Sequence, residues 1–286
     1  MADDWQDPQR IVEAIEDPRS KPRTGATIIR LRTGRLDINV YPQLLVKQGR
    51  MYKPDATKLC SLGPGILSDN LEQQVAVELA GALQAQGEPC FVVPAAELVP
   101  LSEPDAITSV RLTKAEFQPA NATGKVDRCP WGEAIALAMA QVHQETTETK
   151  AVTGSILTRR VTGLGGVATA TSLATSGGAK RETVTRSTTH IFIEMVFRNP
   201  WRRYRIDAQH FDYALLGDQL QPTSAANART LARWLLHAAP QARTNVDREE
   251  LMETGKTGLP ELSEHQFSDL THWLINLVHF GKSAEP

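Results

Sequence analysis

The chain has 286 residues, of which 41% are hydrophobic and 22% are charged, and its formal net charge at pH 7 is −2. These values lie close to the average of globular proteins, so they exclude a disordered or fibrous chain and allow a core of ordinary size. The length suits one large domain or two ordinary ones.

The N-terminal sequence and the cysteines indicate a cytoplasmic location. Met1–Trp5 is acidic and has no basic stretch ahead of an apolar run, so we expect no secretory signal peptide. Cys60, Cys90 and Cys129 are odd in number and form no Cys-x-x-Cys pair. This spacing argues against a disulfide framework and against a zinc knuckle, and it favours buried thiols in a reducing compartment.

The first two regions are predicted to be an N-terminal helix with a linker (residues 1–24) and a small αβ region (residues 25–121). Within the first region, Asp-Pro pairs flank a helix predicted over Gln9–Glu16. In the second, a helix is predicted from Ser68 to Gly87, because its apolar residues recur every four positions. Strands are predicted at Ala26–Arg32, Arg35–Val46, Cys90–Val93 and Ile107–Phe117, with a turn at Thr33-Gly34 between the first two.

The third region (residues 122–286) is predicted to be an antiparallel, β-hairpin-rich sheet packed by C-terminal amphipathic helices. Its first element, Pro130–His143, has apolar residues at helical spacing and is predicted to be a helix. Strands follow at Ala151–Leu157, Thr183–Phe197 and Trp201–Asp207. The turn Asn199-Pro200 joins the last two into a hairpin.

Helices are predicted to close the chain at Ala225–Ala238, Asp247–Glu253 and Glu264–Phe280. Ser263 and Gln266 have the spacing of a capping box at the start of the last helix. Its continuous apolar stripe must pack on another element, most simply on the preceding sheet. The predicted fold class is therefore α+β.

The charge of the chain is unevenly distributed. Lys150–Arg205 contains ten basic and two acidic residues, a net charge of +8, whereas the segments before and after it each carry −5. Such an asymmetry bears on binding partners and not on the fold. The basic segment is the main functional lead in the sequence.

The predicted binding residues are Arg186, Arg198, Trp201, Arg202, Arg203, Tyr204 and Arg205. Guanidinium groups pair with carboxylates and phosphates, and aromatic side chains stack on bases or lie at a lipid interface. Strand alternation places Trp201, Arg203 and Arg205 on one face of the hairpin. Two alternatives remain open: the arginines cover a sheet face with their stems, or they neutralise the acidic flanks within the molecule or across a subunit interface.

From this lead we expect a non-enzymatic binding or adaptor protein whose basic β-rich face meets an acidic partner. An acidic protein is the first expectation, and a nucleic acid or an anionic membrane surface are the others. Val161–Ala179 has no charged residue, and eleven of its nineteen residues are Gly, Ser or Thr. This composition predicts a loop and not a membrane span. Oligomerisation or membrane contact are alternative roles for the segment.

A second hypothesis is a metal-dependent hydrolase or nuclease that uses Asp207, His210 and Asp212, which cluster after the hairpin. Carboxylates and histidine bind divalent cations and transfer protons. The spacing Asp-x-x-His-x-Asp matches no established ligand pattern, however, and a shared site depends on mutual geometry. The sequence alone therefore assigns no catalytic residue, no metal site and no cofactor.

Overall fold

The structure is a computed structural model that describes residues 25–32, 35–62, 65–152, 169–173, 180–255 and 258–282. It has mixed helices and mostly antiparallel sheets, which confirms the α+β class. The chain divides into two compact units between Leu98 and Val99. The predicted helix Gln9–Glu16, the turn Thr33-Gly34 and most of the uncharged segment lie outside the described residues.

Over its described residues, the first unit consists of a three-stranded antiparallel sheet, in the order β2-β1-β3, and three helices. Its elements are β1 (Ala26–Arg30), α1 (Tyr41–Lys47), α2 (Lys53–Leu62), β2 (Ile66–Leu71), α3 (Gln73–Ala85) and β3 (Cys90–Pro94). Arg30 lies buried in the central strand, where its Nε donates to Glu88 Oε1 at 2.7 Å. This ion pair compensates a charge that would otherwise be costly to bury.

The predictions for this unit are partly confirmed. Helix α3 buries Val75, Leu79 and Leu83, which belong to the predicted apolar stripe, and Gly87 follows it with a φ of +80°. The strand predicted over Arg35–Val46 is wrong, because helix α1 occupies its second half. Pro42 lies in the first turn of α1, where a missing N–H costs no hydrogen bond.

In the part of the second unit that the structure describes, there are a seven-stranded sheet, a small three-stranded sheet and three α-helices. The large sheet comprises β4 (Asp105–Ile107), β8 (Ala134–Val152), β9 (Thr169–Leu173), β10 (Lys180–Phe197), β11 (Arg202–Asp207), β12 (Arg243–Thr244) and β13 (Glu261–Ser263). The small sheet comprises β5 (Ser109–Leu112), β6 (Glu116–Ala120) and β7 (Cys129–Pro130). The helices are α4 (Ser224–Ala238), α5 (Arg248–Thr254) and α6 (Glu264–His279).

The helix predicted over Pro130–His143 is wrong, because this segment lies mainly in strand β8. Both faces of the strand are covered here, so polar residues do not alternate with apolar ones. Leu137 and Met139 belong to the core that includes α4, while the intervening alanines are also fully buried. Alanine has a high helix propensity, and a strand that is buried on both faces lacks the alternation of polar and apolar residues. The segment therefore resembles a helix in sequence, and the prediction failed for this reason.

The hairpin of β10 and β11 is confirmed, with Phe197 opposite Arg202 and Phe192 opposite Asp207. Ile193, Met195 and Tyr204 lie on the face that joins the core with α4. The opposite face carries Glu194, Arg203 and Arg205 and packs under α6, where Phe192 contacts Phe267 at 6.1 Å between ring centroids.

The three C-terminal helices are confirmed to within two residues at each end. The capping box of Ser263 and Gln266 is present, and the apolar stripe of α6 is buried against the sheet, with β8 as its main contact. Among the described helices, none combines the length and the apolar character needed to cross a lipid bilayer.

Candidate functional site

Arg203 is buried beneath α6 and paired with Glu194. Its Nε donates to Glu194 Oε2 at 2.6 Å and its Nη2 to Oε1 at 2.8 Å. It also donates to Ser268 Oγ and to the backbone carbonyl of Ser102, both at 3.1 Å. Since only 3% of its side chain is exposed, its charge is satisfied within the unit.

Arg205 shares the same carboxylate. Its Nε donates to Glu194 Oε1 at 2.6 Å, and its Nη1 pairs with Glu264 at the start of α6. Its guanidinium lies over the rings of Phe192 and Phe267, at 5.1 and 5.7 Å from their centroids. Two of the predicted binding arginines therefore form part of an internal network, which agrees with the alternative of charge neutralisation within the molecule.

The other face of the hairpin holds a hydrogen-bonded network around Tyr204. The Tyr204 hydroxyl donates to Asp127 Oδ2 at 3.0 Å and accepts from Cys129 Sγ at 3.4 Å and Arg202 Nη1 at 3.4 Å. Burial, followed by the hydrogen bond with Cys129, raises the pKa of Tyr204 far above its ordinary value. This phenol stays protonated and serves as a structural hydrogen-bond donor.

The exposed part of the basic hairpin lies at its turn. Trp201 has 42% of its surface exposed. Arg198 Nε lies 3.3 Å from Glu133 Oε2, and Arg202 Nη1 lies 3.6 Å from Asp127 Oδ2. The backbone of Arg186 pairs with that of Thr146 in β8, and its side chain lies outside the described part of the chain.

The other candidate site joins His190, Asp207 and His210 at the end of β11. Asp207 Oδ2 lies 2.9 Å from His190 Nδ1 and 2.7 Å from His210 Nδ1. One ligand atom of each residue lies within 4.8 Å of the other two. No other group of three such His, Cys, Asp or Glu side chains occurs among the described residues.

The β10–β11 register explains how these residues meet. Phe192 lies opposite Asp207, so His190 and Asp207 share one face of the sheet. The chain turns directly after Asp207, where His210 N donates to the Asp207 carbonyl at 3.0 Å, and this turn brings His210 back to the carboxylate. His190 is nearly buried and His210 is exposed, so the cluster reaches the surface on one side.

Neighbouring groups orient the cluster. Because a carboxylate only accepts, each histidine Nδ1 donates to Asp207 in this arrangement. His190 Nε2 lies 3.2 Å from Thr188 Oγ1, and Gln209 N donates to the other carboxylate oxygen at 3.0 Å. Such outer contacts are typical of groups that fix the ring and carboxylate of a metal ligand.

Two effects oppose each other on the pKa of Asp207. Burial raises it, but hydrogen bonds from His210, from the Gln209 N–H and from His190 outweigh burial and leave the pKa below its ordinary value. The carboxylate is therefore ionised at neutral pH, as a cation ligand must be.

The structure brings Asp207 and His210 together and adds His190, which the sequence analysis does not name. The register of the predicted hairpin is the signal in the sequence that could have identified His190, because a turn at Asn199-Pro200 places position 190 near position 207 on the same face. Asp212 is not part of the cluster: its Oδ1 accepts from Ala214 N at 2.9 Å and its N donates to the Thr108 carbonyl at 2.8 Å.

A scan against models of protein families gives no match to this chain, and searches of curated proteins and of solved structures give none either.

Proposed function

We propose that the chain binds a divalent transition-metal ion through His190, Asp207 and His210. The observation that carries this proposal is the convergence of two imidazoles and one ionised carboxylate within 4.8 Å. Imidazole nitrogen and carboxylate oxygen are common ligands of Zn²⁺ and related ions, whereas Mg²⁺ and Ca²⁺ prefer oxygen alone.

The distances in the cluster suit an ion after a small adjustment. Ligands about 2.1 Å from a tetrahedral ion stand roughly 3.4 Å apart. The two Nδ1–Oδ2 distances are 2.9 and 2.7 Å, so each of them has to lengthen by roughly 0.5–0.7 Å when the ion replaces the shared hydrogen bonds. His210 is exposed, which permits this movement without disturbing the core.

The ligand set suits metal-assisted hydrolysis. Three protein ligands leave at least one coordination position for water or substrate, and a bound divalent ion lowers the pKa of that water. Since the cluster opens to solvent at His210, a substrate can approach it. The hydrolase or nuclease hypothesis thus becomes a specific proposal with His190 in the place of Asp212.

Calorimetric titration of untagged, metal-free protein with Zn²⁺ tests the proposal. We expect one ion per chain, with affinity reduced at least about tenfold by His210→Ala or Asp207→Asn. His237→Ala is the matched control, because His237 is exposed in the last turn of α4 and lies outside the cluster. Equal affinity in the wild type and in both ligand variants would refute the metal site.

A second candidate function keeps the basic hairpin as a surface for an acidic protein. The observation in its favour is exposed Trp201 beside Arg198 and Arg202, a combination that matches the aromatic and arginine anchors of protein interfaces. Binding to an acidic peptide such as poly-glutamate should fall steeply with salt and be weakened by Trp201→Ala and Arg198→Gln together. Binding to a DNA oligonucleotide or to anionic vesicles, without binding to the acidic peptide, would identify nucleic acid or membrane as the partner. If none of these ligands binds at low salt, the hairpin is not a binding surface for acidic partners.

We also propose a reducing, cytoplasmic compartment. Cys60, Cys90 and Cys129 are all buried as free thiols. Three unpaired cysteines are ordinary in the cytosol and rare in secreted chains.

A further inference from the structure

The outer edge of β8, on the side away from β10, is covered residue by residue over its first half. Gln241 Nε2 donates to the Ala134 carbonyl at 3.1 Å, and β12 pairs with residues 136–137. The Asn245 side-chain amide bonds both the N–H and the carbonyl of Met139, at 2.8 and 2.9 Å. The Pro260 carbonyl accepts from Gln141 N at 2.9 Å, and β13 then pairs with residues 141–143.

This cover ends at His143, although β8 continues for nine residues to Val152. Over that distance β8 pairs with β10, and β9 pairs with the other side of β10. Within the described part of the chain, no strand pairs with the outer edge of residues 144–152. An uncovered strand edge presents a row of N–H and carbonyl groups to any extended chain.

The register identifies which groups this edge presents. Met139 and Gln141 direct backbone groups outward, and pairing with β10 continues from residue 136 to residue 152 without a bulge. Because the direction alternates along an antiparallel strand, residues 145, 147, 149 and 151 present their N–H and carbonyl groups at the outer edge. A partner strand must therefore form its hydrogen-bonded pairs with these odd-numbered residues.

We propose that a second copy of this chain occupies the edge, with two β8 strands pairing antiparallel about Thr149. This register puts Thr149 opposite its own copy and puts Glu148 opposite Lys150 twice. Two neighbouring registers also keep the faces of the two sheets matched. One of them places Glu148 opposite its own copy, and the other places Lys150 opposite its own copy. Opposite charges across a strand pair stabilise it and like charges weaken it, so the sequence itself selects the Thr149 register.

The pairing would join two seven-stranded sheets into one continuous sheet with two-fold symmetry. Such an interface is isologous, and the two β8 edges pair with each other, so neither β8 strand offers an edge to a third copy. This pairing removes the aggregation hazard that an edge of nine residues otherwise creates.

Cysteine cross-linking of the full chain tests both the dimer and its register. In the Thr149→Cys variant, the two Cα atoms of a hydrogen-bonded pair lie about 5.5 Å apart, within disulfide range. We expect rapid formation of a covalent dimer under mild oxidation. Thr147→Cys is the matched control, since its copy lies four residues away, roughly 13 Å along the strand, and should not cross-link. The three native cysteines are buried and should not interfere.

Light scattering and sedimentation of the unmodified protein provide the second measurement. We expect a concentration-dependent dimer whose dissociation constant rises about tenfold or more in Glu148→Lys, because both cross-strand pairs become repulsive. Glu145→Lys makes the same charge change outside the paired positions and should alter the dissociation constant much less. A monomer at every concentration, or cross-linking at position 147 as fast as at position 149, would overturn the proposal.

Discussion

Arg203 and Glu194 form a two-bonded ion pair that joins the β10–β11 hairpin beneath α6, at 2.6 and 2.8 Å. Glu194 also accepts from Arg205 Nε and from the Thr271 hydroxyl, each at 2.6 Å, so this fully buried carboxylate has four donors. Two cations and one anion are enclosed here, and Glu264 supplies the second negative charge at the rim. The network therefore depends on Glu194 for its charge balance.

Replacing Glu194 by Gln should strongly destabilise the second unit. The change leaves Arg203 buried without a counter-charge, and removing one partner of a buried pair costs about 3–5 kcal/mol. Urea unfolding followed by tryptophan fluorescence measures the loss, because four of the five tryptophans lie in this unit.

Glu133→Gln is the control for this prediction. It removes the partner of Arg198, in a pair whose arginine is about half exposed, and should cost less than about 1 kcal/mol. Similar losses for the two variants would show that the Glu194 network does not stabilise the unit.

The hairpin and the last three helices could be predicted from sequence because their signals are local. Asn199-Pro200 marks the turn, and Ser263 with Gln266 marks a helix start. Such signals operate within a few residues of the chain and do not depend on tertiary packing. Strand β8 could not be recognised, since burial on both faces removes the alternation that identifies a strand.

The candidate site was predictable only in part, for a related reason. Asp207 and His210 are three residues apart in sequence, whereas His190 joins them through the hairpin register. The burial of Arg203 could not be predicted from the hairpin sequence alone. It depends on α6, which covers Glu194 and lies more than sixty residues further along the chain. Charge counts cannot distinguish an exposed arginine from a buried one with a partner.

Lowering the pH should reduce the free energy of unfolding, in part because Asp207 becomes protonated. Its pKa is lower in the folded chain than the ordinary value of 3.8, so the folded state binds this proton less readily than the unfolded state does. The stabilising contribution is fully present above pH 3.8 and is lost as the pH falls through the folded value.

Asp207→Asn should remove this component of the pH dependence. The difference in unfolding free energy between wild type and variant, measured in EDTA from pH 6 down to pH 2.5, should narrow as the pH falls. A difference that stays constant over this range would contradict an ionised Asp207 held by His190 and His210.

Asn245 should be important for stability although it belongs to no strand pair. Its side chain satisfies both backbone groups of Met139 at the covered edge of β8, and Asn245→Ala leaves both without this partner. We expect a loss of about 1–3 kcal/mol in the free energy of unfolding, measured in urea.

Gln209→Ala is the comparison for Asn245. Gln209 makes a single bond of the same kind, from Nε2 to the Thr189 carbonyl at 2.9 Å, at an exposed site where water can replace it. Its loss should cost less than about 1 kcal/mol. An equal or larger effect at Gln209 would show that the cover of the β8 edge is not what stabilises this part of the sheet.

The three thiols should react slowly in the folded protein. Burial, together with the charge of Glu88, raises the pKa of Cys90 to about 11, and burial also raises the pKa values of Cys60 and Cys129. At pH 8 about one molecule in a thousand then carries a Cys90 thiolate, which is the reactive form. A chromogenic disulfide reagent should therefore label the native chain slowly and release three equivalents per chain at once in concentrated urea. One equivalent reacting within seconds in the native state would show that one of these cysteines is accessible and activated, contrary to its buried position.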